Sequence, residues 1–100
     1  MVIEYSPQTG LQLVNPYDFC DFKVVLKGPV NPTTSALRGI TLVDRGNALV
    51  PIDLVPTLPG RPQDYETWET GYAKMVASAR KRGWIDSDAD AIRAHIESSL

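Results

Sequence analysis

The carboxylates between residues 86 and 97 have the spacing of a calcium-binding loop. Asp86, Asp88 and Asp90 stand at positions 1, 3 and 5 of an EF-hand loop, and Glu97 stands at position 12. The sixth position, however, is Ala91 rather than the glycine that makes the sharp turn. We interpret the run as the acidic first turn of a helix, where the helix dipole stabilises carboxylates without a metal. The sequence therefore predicts no metal site.

A second chemical possibility is a thiolate–imidazolium pair. Cys20 and His95 are the one cysteine and the one histidine of the chain, so such a nucleophile would have to combine these two. The alternation around Cys20 places it on the apolar face of a strand, where a free cysteine behaves as a small buried hydrophobe. His95 is interpreted as a solvated side chain on a helix. We therefore assign neither residue a catalytic role.

Tyrosines and carboxylates of the first half could line a small ligand site. Asp53 is the most unusual of them, because it lies between Ile52 and Leu54 in an apolar run. It could equally be an outward side chain of an alternating strand. The candidate ligand-binding residues are Tyr5, Tyr17 and Asp53. Because the sequence contains no GxGxxG, P-loop, HExxH or GxSxG motif, no cofactor is expected.

The basic triplet at residues 80–82, followed by Trp84, has the residue types of a phosphate contact beside a stacking ring. Ten basic residues are nevertheless outweighed by twelve acidic ones, for a formal net charge of −2. We interpret the triplet as the solvated C-terminus of a helix, where cations are favourable. The chain is not expected to bind nucleic acid.

Hydrophobic periodicity predicts an α+β fold whose sheet comes first. Short β-type runs at residues 2–5 and 11–14 flank a Pro- and Gly-containing turn. Alternating residues from Phe19 to Lys27 give a half-buried strand, and residues 39–44 and 48–55 give a second hairpin. The predicted sheet is small and antiparallel, with four to five strands in residues 2–55.

The second half of the chain is expected to be helical. All eight prolines lie at or before Pro62, and four of them fall in residues 51–62, which predicts a stiff, extended strap. A 3.6-residue apolar stripe then predicts a helix over about 64–82, with a close approach by another element at Gly71. A second helix is expected over about 87–98, opened by Ser87 and Asp90 as a capping pair.

Length and composition limit the class of protein. One hundred residues are expected to form one α+β domain over residues 1–100. The first residues lack the basic and apolar regions of a secretory signal, and no apolar run is long enough to cross a membrane. A lone cysteine excludes an intrachain disulfide. We expect a cytoplasmic protein that does not associate with membranes.

Two classes of function follow from these observations. The favoured one is a non-catalytic interaction or accessory module that acts as a homodimer or docks on another protein. The apolar helical stripe is the expected partner surface, because it is larger than the face of one small sheet needs. That surface comprises Trp68, Tyr72, Met75 and Trp84. The alternative is a small enzyme or small-molecule binder with a pocket between sheet and helices.

Overall fold

Alternating apolar residues build most of the chain into one curled mixed sheet. The computed structural model describes residues 1–28, 36–44 and 46–98. Within them, eight strands form the sheet. The strands are β1 (Val2–Ser6), β2 (Gly10–Val14), β3 (Lys23–Leu26), β4 (Ala36–Leu37), β5 (Ile40–Leu42), β6 (Asn47–Pro51), β7 (Ile85–Asp86) and β8 (Ala91–Ser98).

The strand order is β2-β1-β3-β8-β6-β5-β4, and β7 pairs additionally with β8. β3 runs parallel to β1 on one side and parallel to β8 on the other. All other pairs are antiparallel. The two ends of the sheet approach each other, because the Arg38 side chain next to β4 lies against Gly10 of β2. The sheet is therefore curled, and its inner face encloses the core.

The first hairpin is confirmed. β1 and β2 pair from Val2 with Val14 to Ser6 with Gly10. The predicted strand from Phe19 to Lys27 is shorter than expected, since regular pairing begins at Lys23. Cys20 lies before that strand and is exposed, so the expectation that it is buried was wrong. An Asx turn, in which the Cys20 N–H donates to the Asp18 carboxylate at 3.2 Å, replaces strand geometry there.

One α-helix, α1 (Tyr65–Lys81), lies among the described residues and agrees with the predicted 64–82. It packs Trp68, Tyr72 and Ala79 into the core. The proline-rich segment before it turns once as a 3₁₀-helix, Val55–Thr57. Its Pro59 carbonyl then accepts the Leu13 N–H on the outer edge of β2 at 2.7 Å. The described part of the chain contains no helix long and apolar enough to span a bilayer.

The predicted fold class was wrong in two respects. The sheet is not a four- to five-stranded antiparallel sheet confined to residues 2–55, because it is mixed and continues to Ser98. The second C-terminal helix over 87–98 does not exist. In its place stands β8, inserted between β3 and β6 in the middle of the sheet.

The reason for the second error lies in the residues of β8. Ile92, Ala94 and Ile96 are buried. Arg93, His95 and Glu97 alternate with them and are exposed. This is the two-residue period of a strand, but apolar residues four apart, together with Ala, Arg and Glu, also satisfy a helix. Burial between two strands outweighs that local preference. Ser87–Asp90, expected to cap a helix, instead form the turn between β7 and β8, closed by a 3.0 Å bond from the Ala89 N–H to the Asp86 carboxylate.

Candidate functional site

A crevice of about 610 Å³ lies between the C-terminal half of α1 and the middle of β8. It exists because β7 and β3 pair with the same edge of β8 and leave a gap between them. β7 pairs with Ala91 and Ile92, whereas β3 pairs from His95 onward. Among the described strands none pairs with Ala94 on that edge, and Arg93 bonds there to Trp84, which lies just before β7. The side chains around this interruption form the walls.

One wall is apolar and contributed mainly by the segment before β3 and by one face of α1. Its members are Phe19, Phe22, Met75, Ala79, Trp84 and Ile92. Phe19 sits directly on the backbone of α1, because a Cβ on Gly71 would collide with its ring. The close approach predicted at Gly71 is therefore confirmed, and the missing side chain lets Phe19 reach the helix.

Ala94 of β8 also lines the crevice, and the other lining residues are polar. They are Cys20, Asp21, Asn47, Ser78, Arg82, Arg93 and His95. Asn47 is held in place, since its side-chain amide donates to both Asp44 carboxylate oxygens at 3.1 and 3.3 Å. These bonds and the Gly46 N–H lower the pKa of Asp44, with the Gly46 bond contributing most. Asp44 therefore stays ionised and fixes the β5–β6 turn beside the crevice.

Lys23 forms ion pairs with two carboxylates at the acidic side of the crevice. Its ammonium group lies 3.7 Å from the Asp21 carboxylate and 3.3 Å from that of Glu97. The hydrogen bond to Glu97, followed by the charge of Asp21, raises the pKa of Lys23. Asp21 is the one carboxylate among the described lining residues, and its charge is thus shared with a cation outside the crevice.

Arg82, Trp84 and Arg93 form the cationic end of the crevice. The Arg82 guanidinium lies over the Trp84 ring, 5.1 Å from its centroid. The Arg93 N–H donates to the Trp84 carbonyl at 2.8 Å, which continues the β7–β8 ladder by one pair. Within the described residues neither arginine forms an ion pair. Arg82 thus lies over the indole, and Arg93 lines the same end of the crevice.

The expected partner surface is divided by the fold. Trp68 is fully buried and Tyr72 is 4% exposed, and both are packed against the chain's own sheet. Trp68 also donates its indole N–H to the Pro16 carbonyl at 2.8 Å. Met75 and Trp84 instead line the crevice, and Trp84 is 48% exposed. The structure thus leaves two of the four residues accessible to a binding partner.

The three candidate ligand-binding residues of the first half lie elsewhere, since none of them lines the crevice. Tyr5 is part of β1 and packs partly on the core. Tyr17 is 51% exposed, and its ring meets that of Phe19 edge-on at 6.5 Å. Asp53 is exposed just after β6.

Cys20 and His95, which we considered as a reactive pair, both line the crevice. The acidic run at residues 86–90 forms a turn, and among the described residues no three His, Cys, Asp or Glu side chains converge as metal ligands. The sequence did not single out Arg93 as a lining residue, because its pattern placed that residue on a helix. The triplet ending at Arg82 with Trp84 was noticed, and its interpretation as a solvated terminus overlooked the crevice beside it.

Comparison of the sequence with known families finds no match, and no curated protein or solved structure is significantly similar to the chain. Its function is therefore argued from the crevice.

Proposed function

We propose that this protein binds a small organic molecule in the crevice between α1 and β8. The observation that supports the proposal is a cavity of about 610 Å³ that combines an apolar wall with a few polar side chains. Ligand sites commonly have volumes of about 300–1,000 Å³ and this mixture of lining groups. The proposal takes up the binder half of the alternative that the sequence left open, a small enzyme or small-molecule binder with a pocket between sheet and helices.

The position of the crevice in the sheet supports the same proposal. β3 runs parallel to β8 and β7 runs antiparallel to it on the same edge. Both strands begin at this gap, β3 at Lys23 and β7 at Ile85, so the segments that lead into them border the crevice. The gap also brings residues from the loop before β3, from α1 and from β8 to one place.

An interaction module remains the second candidate, because the large Trp84 side chain is 48% exposed. A homodimer or a heterologous partner is thus still a prediction. Sedimentation at micromolar concentration tests it, and a strict monomer would argue against the homodimer. A cytoplasmic location belongs to the same set of proposals, since a reducing compartment keeps an exposed thiol such as Cys20 free.

Small-molecule binding is tested by screening a library of uncharged and charged organic fragments with two-dimensional amide NMR spectra. We expect fragments to shift the amides of residues 19–22 and 92–95. Ser78→Trp fills the crevice from α1 and should abolish these shifts. Ala77→Trp is the matched control, because Ala77 is the exposed neighbour of Ser78 and does not line the crevice. Fragments that bind nowhere, or that bind equally well to Ser78→Trp, would refute the proposal.

A further inference from the structure

We infer that the crevice selects small organic anions, with a carboxylate or phosphate head at Arg82 and Arg93 and an apolar body against Phe19 and Phe22. The inference rests on the proposed function, because it names the ligand class of the same crevice. A carboxylate is a planar group of anionic oxygens and a phosphate is a tetrahedral one. An arginine side chain recognises both through the same charge-assisted hydrogen bonds.

Arg82 is held against an aromatic ring at the cationic end of the crevice. Its guanidinium lies 5.1 Å from the centroid of the Trp84 ring, a distance at which a cation is attracted to the ring face. This contact holds the side chain over the indole at the end of α1. Arg82 is itself exposed, and Trp84 is 48% exposed, so both are open to solvent and to a ligand.

Arg93 lies across the β7–β8 ladder from the same tryptophan. Ile85 is the partner of Ile92 in the antiparallel β7–β8 pair, so Trp84 stands opposite Arg93. The 2.8 Å bond from the Arg93 N–H to the Trp84 carbonyl confirms this register. Directly opposite residues of an antiparallel pair project to one face, with Cβ atoms roughly 5 Å apart. Both side chains line the crevice.

Among the described residues neither guanidinium forms an ion pair. Two cations that line one crevice repel each other, and an anion bound between them removes that repulsion. The nearby carboxylates are otherwise engaged: Asp21 with Lys23 at 3.7 Å, and Asp44 with the Gly46 N–H at 2.7 Å. Arg93 makes only the smallest contribution to the lowered pKa of Asp44. The described residues thus leave the guanidinium pair without a bonded counter-ion.

A guanidinium group presents its donors in a planar fork that matches the two oxygens of a carboxylate or phosphate. The apolar wall adjoins this cationic end, so a bare inorganic ion would leave it uncovered. A ligand with a ring or short hydrocarbon chain attached to the anionic group covers both parts. Met75 and Ile92 complete the apolar wall next to the two phenylalanines.

Five probes test the ligand class. Phenylacetate carries both a ring and a carboxylate, 2-phenylethanol is its uncharged analogue, and acetate lacks the ring. Phenyl phosphate and inorganic phosphate make the corresponding comparison for the second head group. Binding is followed by tryptophan fluorescence, to which Trp68 and Trp84 both contribute, and by the amide shifts of residues 92–95. We expect each aryl anion to bind about tenfold more tightly than 2-phenylethanol, the ratio that one charge-assisted hydrogen bond provides.

Variants locate the anion. Arg93→Gln and Arg82→Gln should each weaken phenylacetate binding about tenfold and leave 2-phenylethanol unchanged. Arg80→Gln is the matched control, because Arg80 is exposed on the last turn of α1 and does not line the crevice. It should change phenylacetate binding less than about twofold. Thermal unfolding of each variant verifies that the fold is intact.

The outcomes separate this inference from the proposed function. If 2-phenylethanol binds as tightly as the aryl anions, or if Arg80→Gln weakens binding as much as Arg93→Gln, the crevice binds small molecules but does not select anions. If no probe and no screened fragment binds, the proposed function itself fails. Tighter binding of phenylacetate than of phenyl phosphate, or the reverse, identifies the head group.

Discussion

Tyr72 can be buried in the core because its hydroxyl, the one polar group of its side chain, forms a hydrogen bond. Its ring stacks on Trp68 with centroids 5.0 Å apart and planes 7° from parallel. Its hydroxyl donates to the Ile52 carbonyl at 2.9 Å. Burial, and to a smaller degree the charge of Asp53, raises the pKa of the phenol. The residue thus links α1 to the segment that follows β6.

We predict that Tyr72→Phe lowers the free energy of unfolding by about 1 kcal/mol at neutral pH, because it removes one buried hydrogen bond and keeps the ring. The folded state raises the pKa of Tyr72 above the ordinary 10.0. The unfolded chain therefore releases this proton first, and the stability that Tyr72 provides is complete below pH 10 and declines above it. The difference between the two proteins should shrink as the pH rises past 10.

Urea unfolding followed by circular dichroism at pH 7 and pH 11 measures this difference. The pKa of Lys23 is also raised, but Lys23 is present in both proteins and its effect cancels. Tyr17→Phe is the control, because Tyr17 is 51% exposed. The unfolding free energy of this variant at pH 7 should stay within about 0.5 kcal/mol of that of the unaltered protein. If the unaltered protein and Tyr72→Phe differed in unfolding free energy by the same amount at both pH values, the assigned burial of the phenol would be contradicted.

Individual residues of the candidate site were predictable to different degrees. The sequence singled out Met75 and Trp84 by their apolar character, and both line the crevice. It could not distinguish them from Trp68 and Tyr72, because a helical stripe shows which side chains avoid water and not what covers them. Arg93 was missed because its position depends on pairing with Trp84, a contact set by the β7–β8 register.

At the level of elements, local patterns predicted the first hairpin and α1 and failed for β8. The hairpin and the helix are each specified by neighbouring residues: a Pro–Gly turn in one case and a long 3.6-residue period in the other. β8 depends on strands far along the chain, since it pairs with β3 and β6. When the apolar residues of a segment fit both a helical and a strand period, a single sequence does not reveal which distant strands the segment pairs with.

The strap between β6 and α1 gives an element-level prediction. Gly60 has φ +96°, and a Cβ there would collide with the Leu13 carbonyl oxygen of β2. We predict that Gly60→Ala destabilises the protein, because it adds this collision to the strain of a left-handed backbone. It should also weaken the neighbouring bond from the Leu13 N–H to the Pro59 carbonyl.

Gly83→Ala is the matched control for Gly60→Ala. Gly83 has φ +79° and nothing within 4 Å of its Cβ position, so the substitution introduces backbone strain alone. We expect Gly60→Ala to cost about 2 kcal/mol more than Gly83→Ala, the cost typical of overpacking. Chemical denaturation of both variants measures the two losses. Equal losses would show that the strap moves away from β2 freely and does not hold that edge.

For the whole molecule, β8 connects two halves of the sheet that the first 62 residues cannot join. β2, β1 and β3 lie on one side of β8, and β6, β5 and β4 lie on the other. Both halves come from the first part of the chain, and β8 comes from the end. The fold is therefore completed only when the C-terminal strand is in place, and α1 then covers the core with Trp68 and Tyr72.

We predict that a fragment of residues 1–62 does not fold, because it exposes the β8-facing edges of β3 and β6 and lacks the aromatic side chains of α1. Each remaining half is a three-stranded piece with no second layer to bury its apolar face. Its amide NMR spectrum should be poorly dispersed, and addition of a peptide of residues 63–100 should restore the dispersion of the intact protein. A dispersed spectrum for the fragment alone would contradict the prediction. That result would show that β8 joins a sheet that is already formed.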